Sequence, residues 1–530
     1  MITHAGEPGD LNKERIMFTA ATKWMLALGI VCGSSAIGSD CAVAGGKDIV
    51  IGIAEDFTTL DPHNAIDNLS LSAERMMTEG LFGFDREMHV VPVLAEEYEV
   101  SPDAKLFTIT LKRGIKFHDG TDFNAAAVKA SFDRVTNPDN KLRRYVLFSN
   151  IQRTEIVDDY TVQLSLAKPF APMVNVLAHP AAAILSPAAL EQYGNQISRH
   201  PVGTGPYKFA EWRPSEFLKV TRNENYWRLG WPKVDTITLR PVPENGTRVA
   251  TLLSGETQFI YPMAPEQVAS VEGKEGYEVQ NLPSIFVQFL GMNQLKKPFS
   301  DLRVRQALNY ALNKKALAKV VYSGFLDPLE STMAPGVEFY ARQGTWEYDP
   351  EKAKTLLREA GYPQGFETEI WGATFSTAVR QMQFVQQQFG LVGIKVKVVP
   401  MEPGQRVEKM MSVTPEAAGV QLYNGGWSPS TGEADWSTRP LFASESFPPK
   451  SNNQGFYSNP RVDELIQQGL ATIDHAARQK IYGEIQNIVW NDAAWVFIGI
   501  GRNLSAKAKR LEGVYLLPDQ TSMYAEAELK

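Results

Sequence analysis

The sequence predicts an α/β protein with at least two lobes, and three observations lead to this fold class. Short apolar or alternating runs typical of strands are separated by amphipathic stretches that begin at helix caps. The composition is that of a globular protein, with 44% hydrophobic and 21% charged residues among 530. Because a single hydrophobic core stops growing at roughly 250–300 residues, a chain of this length requires more than one lobe.

Five segments have the patterns of strands. Residues 48–54 (DIVIGIA) form an apolar run, which is typical of a buried strand. Residues 106–112 alternate between apolar and polar side chains and so predict a half-buried strand. The same alternation recurs in three further segments, 161–166, 236–239 and 395–399.

Two helices in the second half of the chain are marked by N-cap residues. Asp301 caps the first, which we expect to end near Gly324. Its apolar stripe follows the helical period and consists of Val304, Ala307, Leu308, Ala311 and Leu312. Asp349 caps the second, with Pro350 in its first turn and Gly361 as its stop signal. Helices that alternate with strands favour α/β over all-β architecture.

The first 44 residues have the order of a secretory signal peptide. Lys23 precedes the apolar run 24–32, and residues 42–44 (AVA) offer small side chains to a signal peptidase. Cleavage after residue 44 would remove both cysteines, Cys32 and Cys41, and with them any disulfide or thiolate chemistry. Neither cysteine follows a lipobox, so we expect a periplasmic protein that is not a lipoprotein. The alternative is a buried N-terminal helix.

Charge and motifs exclude several classes of protein. The net charge is −7, whereas proteins that bind nucleic acid or anionic membranes usually carry a basic surplus. An apolar run of the ~20 residues that a membrane span needs is missing from the sequence, so we expect no membrane insertion. HExxH, CxxC and GxSxG motifs are missing too. The segment 203–206 (GTGP) lacks the lysine of a phosphate loop and is interpreted as a tight turn before a strand. We therefore predict no enzyme, no cofactor and no metal site.

Several segments together resemble the dipeptide/oligopeptide class, family 5, of ABC-importer solute-binding proteins. The resemblance covers residues 45–530. It rests on 81–85 (LFGFD), 93–96 (VLAE), 111–120 (LKRGIKFHDG), 201–207 (PVGTGPY), 223–227 (NENYW), 253–256 (LSGE) and 304–311 (VRQALNYA).

The resemblance implies two α/β lobes hinged by two strands, with the ligand enclosed between them. Lobe I would span 45–287, with an extra subdomain at about 79–199, and lobe II would span 288–502. Residues 503–530 would return to lobe I. A protein of this class is expected to be a monomer that serves inner-membrane permease subunits with cytoplasmic ATPases.

Three segments are most similar to the glutathione-binding members of that class, namely 122–130 (DFNAAAVKA), 177–180 (LAHP) and 426–436 (GWSPSTGEADW). In peptide-binding members, an aspartate three residues after the loop tryptophan pairs with the peptide α-amine. Here Ser430 stands at that position, three residues after Trp427. Because an enclosed ammonium without a carboxylate partner is costly, glutathione or another γ-glutamyl peptide is the implied ligand. Trp427, whose alternative role is a core tryptophan, and the hydroxyls of Ser428 and Ser430 are predicted ligand contacts.

Glutathione carries two carboxylates and one ammonium near neutral pH, so its site needs at least one arginine and an acid. Arg406 follows a short loop after a strand, and Arg144 with Tyr145 follows an irregular segment of the subdomain. Glu433 and Asp435 flank the serine loop and are candidate partners for the ammonium. These charges are also consistent with solvated surface positions or, for Asp435, with a backbone cap.

The remaining predicted ligand contacts are aromatic and polar side chains near strand ends. By resemblance, family members contact the ligand at positions that match Phe57, Thr58, Phe286 and Gln288. A further polar and aromatic loop after a strand contributes Trp371, Thr374 and Ser376.

Other functions remain open on the sequence alone. The same fold could take ordinary peptides, haem or a nickel chelate, although the predicted loops are poor in histidine. A periplasmic chaperone or signalling receptor could use the same cleft. A hydrolase of γ-glutamyl peptides would need a nucleophile, and the sequence shows neither a nucleophile elbow nor an N-terminal threonine.

Overall fold

A computed structural model describes residues 47–530 of the chain. The predicted signal peptide, with Cys32 and Cys41, lies outside the described residues. The α/β fold class is confirmed, because strands and helices alternate along the chain and build one large mixed sheet.

The described strands, in chain order, are β1 (Asp48–Ile53), β2 (Glu79–Gly80), β3 (Phe82–Phe84), β4 (Val90–Pro92), β5 (Ala95–Val100), β6 (Leu106–Leu111), β7 (Ile151–Asp158), β8 (Thr161–Leu166), β9 (Ala183–Ile184), β10 (Tyr207–Arg213), β11 (Phe217–Arg222), β12 (Thr236–Pro241), β13 (Phe259–Tyr261), β14 (Tyr277–Met292), β15 (Leu326–Pro328), β16 (Glu367–Ala373), β17 (Lys395–Met401), β18 (Leu422–Trp427), β19 (Trp495–Ala508), β20 (Leu511–Glu512), β21 (Tyr515–Leu516), β22 (Ser522–Met523) and β23 (Glu528–Leu529).

The α-helices are α1 (Asn68–Met77), α2 (Ala125–Thr136), α3 (Tyr145–Phe148), α4 (Met173–Ala178), α5 (Pro187–Tyr193), α6 (Asn245–Leu253), α7 (Leu302–Ala311), α8 (Lys314–Tyr322), α9 (Pro350–Glu359), α10 (Ser376–Gly390), α11 (Pro403–Arg406), α12 (Ala434–Phe442), α13 (Pro460–Ala471) and α14 (His475–Asn491). The described part of the chain includes no helix both long enough and apolar enough to cross a bilayer.

The large sheet consists of two half-sheets joined by a long ribbon. Its strand order is β10-β11-β12-β1-β13-β19-β14-β18-β16-β17, with β15 paired to β19. We call the strands β10, β11, β12, β1 and β13 the N-half, and the strands β18, β16 and β17 the C-half. The antiparallel pair β14 and β19 is the ribbon, and its strands have 16 and 14 residues.

Parallel strands form the centre of each half-sheet. In the N-half, β1 is parallel to β12 and to β13. In the C-half, β16 is parallel to β17 and to β18. β1 is buried along most of its length, as its apolar run predicted.

A second, four-stranded antiparallel sheet has the order β5-β6-β8-β7. It pairs two of the strands predicted from alternation, with Leu106 opposite Ser165. Both strands bury alternate side chains. This sheet falls within the predicted subdomain, whereas the lobe and subdomain boundaries themselves stay a prediction.

Separate apolar cores cover the two half-sheets. The N-half core includes Ile51, Tyr207 and Leu218. The C-half core includes Leu308 and Phe389, which belong to α7 and α10.

A third and larger core runs from the four-stranded sheet through Val287 and Phe289 of the ribbon to Phe442 and Trp495. Each half-sheet therefore has a core of its own, and a continuous apolar cluster also joins the four-stranded sheet, the ribbon and the C-half.

The helix predicted from Asp301 to near Gly324 is wrong as a single element. The structure divides it into α7 and α8, with a break at Leu312 and Asn313. The reason is the side chain of Asn313, which accepts a hydrogen bond from the Ala316 amide and so begins a new helix. The caps at Asp301 and Asp349 are confirmed.

The glycines at 203 and 205 lie where the chain passes close to the end of α1. A Cβ on Gly203 would lie 2.4 Å from the Met77 carbonyl oxygen, and one on Gly205 would lie 2.6 Å from the Met77 carbonyl carbon. The segment then enters β10 at Tyr207. The predicted strand after this segment is confirmed, and the segment itself is a bend whose glycines permit close backbone packing.

Candidate functional site

The carboxyl ends of the parallel strands in both halves point toward the middle of the ribbon. In the N-half, β13 pairs Phe259 with Lys507 and Ile260 with Ala506, so it advances toward the centre of β19. In the C-half, β18 pairs Leu422 with Met292 and Trp427 with Val287, so it advances toward the centre of β14. Ligands of open α/β sheets bind outside the carboxyl ends of strands. The two edges therefore enclose the best candidate site.

The C-terminal segment lies across the middle of the ribbon. Ile285 of β14 donates its amide to the Pro518 carbonyl at 3.0 Å. Asn503 of β19 donates its side-chain amide to the Leu517 carbonyl at 2.9 Å. Residues 517–519 are therefore fixed between the two edges.

Residues from both halves meet at Asp519. Its carbonyl accepts hydrogen bonds from Asn68 Nδ2, at the start of α1, at 3.0 Å and from Ser428 Oγ, after β18, at 3.4 Å. We call Asn68, Ser428 and Asp519 the junction. Sequence reasoning found Ser428 but missed Asn68 and Asp519, because their meeting depends on a contact between chain segments about 450 residues apart.

The junction contains a buried acceptor. Asp519 is 1% exposed, and its Oδ1 accepts from the amide and hydroxyl of Thr521. Its Oδ2 has no hydrogen-bond partner among residues 47–530. A buried carboxylate oxygen without a partner is costly unless a ligand or water satisfies it.

The structure brings five predicted residues together at the end of β18. Trp427 donates its indole N–H to the Trp436 carbonyl at 2.7 Å, and Ser428 and Ser430 follow it in a half-buried loop. The Phe286 ring covers Gly426, where a Cβ would lie 2.3 Å from the ring. Gln288 is paired with Gly426 across the strands.

A chain of buried polar groups holds Gln288 from behind. The Tyr322 hydroxyl contacts Oε1 of Gln288 and Oε1 of Gln381, and Gln381 donates to Asn424 Oδ1. Burial raises the pKa of the Tyr322 hydroxyl well above its usual value, so the hydroxyl remains protonated. The side chain of Gln288 is thus fixed by the C-half core.

Other predicted residues follow the ends of β16 and β17. Ala373 pairs with Met401, so Thr374 and Ser376 lie at the same edge as Arg406. Thr374 and Ser376 are both exposed; Thr374 lies in the loop after β16, whereas Ser376 is the first residue of α10.

Arg406 ends α11 and is half-buried. Its Nε has no partner within the described residues, and burial lowers the pKa of its guanidinium. Trp371 donates its indole N–H to Glu369 Oε2 at 3.0 Å, so a neighbouring acid on its own strand satisfies it.

The two acids predicted to meet an ammonium are paired with arginines instead. Glu433 is fully buried and accepts from Arg478 at 2.6 Å, and Asp435 is paired with Arg439 at 2.7 Å. Burial raises the pKa of Glu433 to about 8, although Arg478 opposes the shift. Both acids lie at the start of α12, where they tie it to the neighbouring structure.

In the N-half, Phe57 is a core residue. Its side chain is 5% exposed and meets Trp212 edge to face, with ring centroids 6.3 Å apart. Thr58 supports the start of α1, since its hydroxyl donates to Asp67 Oδ2 at 2.6 Å and its amide donates to Ser70 Oγ at 3.0 Å. Phe57 is thus part of the core, whereas the two partners of Thr58 flank Asn68 of the junction.

Arg144 and Tyr145 lie against the loop that precedes α1. Arg144 donates its amide to the His63 carbonyl at 3.2 Å and its Nε to the Ala65 carbonyl at 2.5 Å. Burial lowers the pKa of Arg144 to about 10, and the charge of Glu74 opposes this. Tyr145 is half-buried at the start of α3.

Glu74 is a buried acid of α1 that sequence reasoning missed. It is 0% exposed, and in the part of the chain that the structure describes neither carboxylate oxygen has a partner. Burial, with the nearby charge of Asp61, raises the pKa of Glu74 well above its usual value, and the charge of Arg144 opposes this shift. Asp61 itself is paired with Arg134 at 2.6 Å.

Both edges also present exposed apolar side chains. Ile66 and Val146 on the N-half side are 51% and 62% exposed, and Phe375 and Val407 on the C-half side are 65% and 54% exposed. Potential metal ligands cluster elsewhere, at Asp85, Glu87 and His89 in the turn between β3 and β4.

Several known proteins are similar to this chain. The family described as bacterial extracellular solute-binding proteins, family 5 middle, matches residues 89–448. The chain is 46% identical over 514 residues to the glutathione-binding protein GsiB of Pectobacterium atrosepticum, covering 97% of this chain and 99% of that protein.

Two solved structures are similar over nine-tenths of the chain. DppA of Helicobacter pylori, in complex with the peptide STSA, has a TM-score of 0.77 and 26% identity, covering 90% of this chain and 98% of that one. AgaA of Agrobacterium tumefaciens, in complex with agropinic acid, has a TM-score of 0.76 and 27% identity, covering 90% and 98%.

Proposed function

This chain belongs to the family 5 bacterial extracellular solute-binding proteins, and from that premise we propose that it captures glutathione between its half-sheets for an ABC importer. It is a transport component and not an enzyme. The observation that carries the proposal is the junction, where both edges and the C-terminal segment meet beside a buried acceptor. The near-full-length similarity to glutathione-binding proteins supports the choice of ligand.

The charges near the two edges match those of glutathione. Asp519 Oδ2 is an available acceptor for the ammonium, whereas Glu433 and Asp435 are already paired. Arg406 and Arg144 are cationic partners for the two carboxylates, and half-burial strengthens their pairing with an anion. Ser428 and Ser430 add hydroxyls in place of the aspartate that peptide-binding relatives carry.

The aromatic and apolar residues would exclude water around the ligand. Trp427 and Phe286 pack at the end of β18, and Ile66 and Phe375 extend from opposite edges. The two lobes would close by rotation about the ribbon near residues 283–287 and 500–502, where its register shifts.

The proposal includes the location of the protein and its transport partners. The leader would send the protein to the periplasm, where the closed monomer would deliver glutathione to inner-membrane permease subunits with cytoplasmic ATPases.

Calorimetric titration of ligand-stripped protein from residue 45 tests the ligand. We expect one reduced glutathione per chain with a dissociation constant near micromolar, or about −8 kcal/mol. The dipeptide Gly-Leu should bind at least tenfold more weakly. Tighter binding of Gly-Leu would refute the glutathione assignment, and release of free glutamate beyond one equivalent per protein would refute a binding-only role.

A substitution at Ser430 tests how the site distinguishes ligands. Ser430→Asp places a carboxylate where peptide-binding relatives have one, so the preference should shift toward Gly-Leu by about tenfold. Ser458→Asp is the control, because Ser458 is exposed and lies outside the two edges. An unchanged preference in the Ser430 variant would contradict the meaning given to this position.

A further inference from the structure

A second cavity, of about 620 Å³, lies in the N-terminal part of the molecule. Its lining residues all fall within 75–228 and 515–526, so it is bounded without any residue of the C-half. Cavities of roughly 300–1,000 Å³ are typical of small-molecule sites.

The floor of this cavity presents hydrogen-bond donors that the protein leaves unused. His179 is 0% exposed, and its Nδ1 accepts from the Ala181 amide at 3.0 Å, which places the proton on Nε2. Nε2 has no partner among the described residues. Burial, reinforced by the charges of Arg144 and Arg75, lowers the pKa of His179 well below its usual value, so the ring is a neutral donor.

Arg75 presents a complete guanidinium fork beside His179. Its Nη1 contacts Met523 Sδ at 3.6 Å, whereas Nε and Nη2 are buried and have no partner within residues 47–530. Nε–H and Nη2–H lie in the guanidinium plane and point outward along the same edge of the group. This pair is the arrangement that binds both oxygens of a carboxylate.

The acids around the cavity already have partners. Glu79 accepts from the Tyr226 hydroxyl at 2.7 Å and from the Trp227 indole at 2.8 Å. Glu526 is paired with Arg228 at 3.3 Å and with Arg86 at 3.6 Å.

Burial lowers the pKa of the Arg75 guanidinium, and the charges of Asp519 and Tyr515 oppose this shift. Neither of these two side chains is a hydrogen-bond partner of Arg75 Nε or Nη2 within residues 47–530. The fork of Arg75 therefore still lacks an anion that bonds to it.

Aromatic side chains form the walls above this floor. Lys112 lies 4.8 Å from the centroid of Trp227, and Arg86 lies 4.0 Å from the centroid of Tyr515. A flat apolar body can stack against these rings while the flanking cations favour a negative head group.

We propose that this cavity binds a small aromatic carboxylate, whose two oxygens pair with Nε and Nη2 of Arg75 and with Nε2 of His179. The ring of this ligand would lie between Trp227 and Tyr515. The residues that line the cavity are distinct from the proposed glutathione contacts, although the charges of Asp519 and Arg144 reach Arg75 and His179.

Crystals of the unaltered protein, grown with reduced glutathione and soaked in 4-bromobenzoate, test the proposal directly. We expect an anomalous bromine peak inside the cavity and the carboxylate on the Arg75 fork. A peak only at the junction, or no peak in the cavity, would overturn the proposal whether or not glutathione is bound.

Titration with 4-bromobenzoate in solution provides a second test that does not depend on a crystal. In glutathione-saturated protein the binding should persist, and Arg75→Gln and Arg75→Lys should each weaken it at least tenfold because both remove the fork. The control Arg153→Gln alters an exposed residue and should leave binding unchanged. Competition by glutathione, or equal binding by the variants and the control, would contradict the assignment.

Discussion

On the N-half side, two buried acids beside the edge have oxygens without partners among the described residues and a third, Asp61, is paired with Arg134, whereas two buried acids of the C-half are paired with arginines. Glu74 and Asp519 belong to the first group within the described chain, and Glu433 and Asp435 to the second. Glu433 is the intermediate case, because one of its oxygens has no partner among residues 47–530. Its hydrogen bond to Arg478 nevertheless fixes it in the protein.

This difference indicates that buried carboxylates have two different roles in the molecule. A buried carboxylate that is paired with arginine holds the structure together, and breaking the pair is costly. A buried carboxylate without a partner is satisfied by a ligand, by water or by protonation. The comparison therefore assigns recognition of the ammonium to the N-half side. The C-half edge supplies hydroxyl and aromatic contacts together with one cation, Arg406.

The largest expected effect concerns how tightly each edge is packed. Gly205→Ala would place a Cβ 2.6 Å from the backbone of Met77, so we expect a loss of about 3 kcal/mol in the free energy of unfolding. Gly404→Ala, at the C-half edge, meets no described atom within 4 Å and should change stability by less than about 0.5 kcal/mol. Urea unfolding measures both, and equal losses would show that the two edges are packed alike.

Asp519→Asn tests the unpartnered acid at the junction. Removing the charge that faces the ligand ammonium should weaken glutathione binding about thirtyfold, or about 2 kcal/mol. The matched change Asp435→Asn, in a paired acid of the C-half, should leave affinity within about twofold and lower stability instead. Calorimetry of both variants checks this, and the reverse order of effects would invalidate the comparison.

The paired acid Glu433 should make the free energy of unfolding depend on pH. Because burial raises its pKa to about 8, the native state keeps a proton between about pH 4.5 and 8 that the unfolded state releases. Its contribution to stability therefore falls as pH rises through that window. Glu433→Gln should gain about 1–2 kcal/mol relative to the unaltered protein from pH 5 to pH 8.

Urea unfolding at several pH values between 5 and 8 measures that gain. The control Glu445→Gln changes an exposed acid and should show no gain. Parallel stability curves for the unaltered protein and Glu433→Gln would contradict the buried position of this acid.

Arg406→Gln is expected to have the smallest effect. The residue is half-buried at the open C-half edge, so losing its charge should weaken glutathione binding about fivefold, or about 1 kcal/mol. Arg358→Gln on α9 is exposed and should have no effect. A loss for Arg406→Gln as large as that for Asp519→Asn would place charge recognition on both edges equally.

Local patterns in the sequence predicted much of the fold. The structure confirms the strands predicted at 48–54, 106–112 and 161–166. They were predictable because alternating or apolar runs are patterns among neighbouring residues. The N-caps at Asp301 and Asp349 were also predictable, because each side chain accepts a hydrogen bond from an amide two or three residues further along the chain. The division of α7 from α8 was missed because an apolar stripe continues across Asn313, whose side chain nevertheless begins a new helix.

The candidate site was less predictable, since it depends on contacts between distant segments. The loop at 427–430 was recognisable from its residues, but its contact with Asp519 joins residues 91 positions apart. Glu433 could be located beside that loop, whereas its pairing with Arg478 required the structure. Phe57 has the sequence environment of a loop residue and yet lies in the core.

Hydrogen–deuterium exchange of the protein with and without reduced glutathione tests the central claim most directly, because it locates the ligand in solution. We predict slower exchange at the start of α1, in the loop after β18 and in residues 517–521 at the same time. Protection confined to one half, or located away from all three segments, would contradict a ligand site between the two edges.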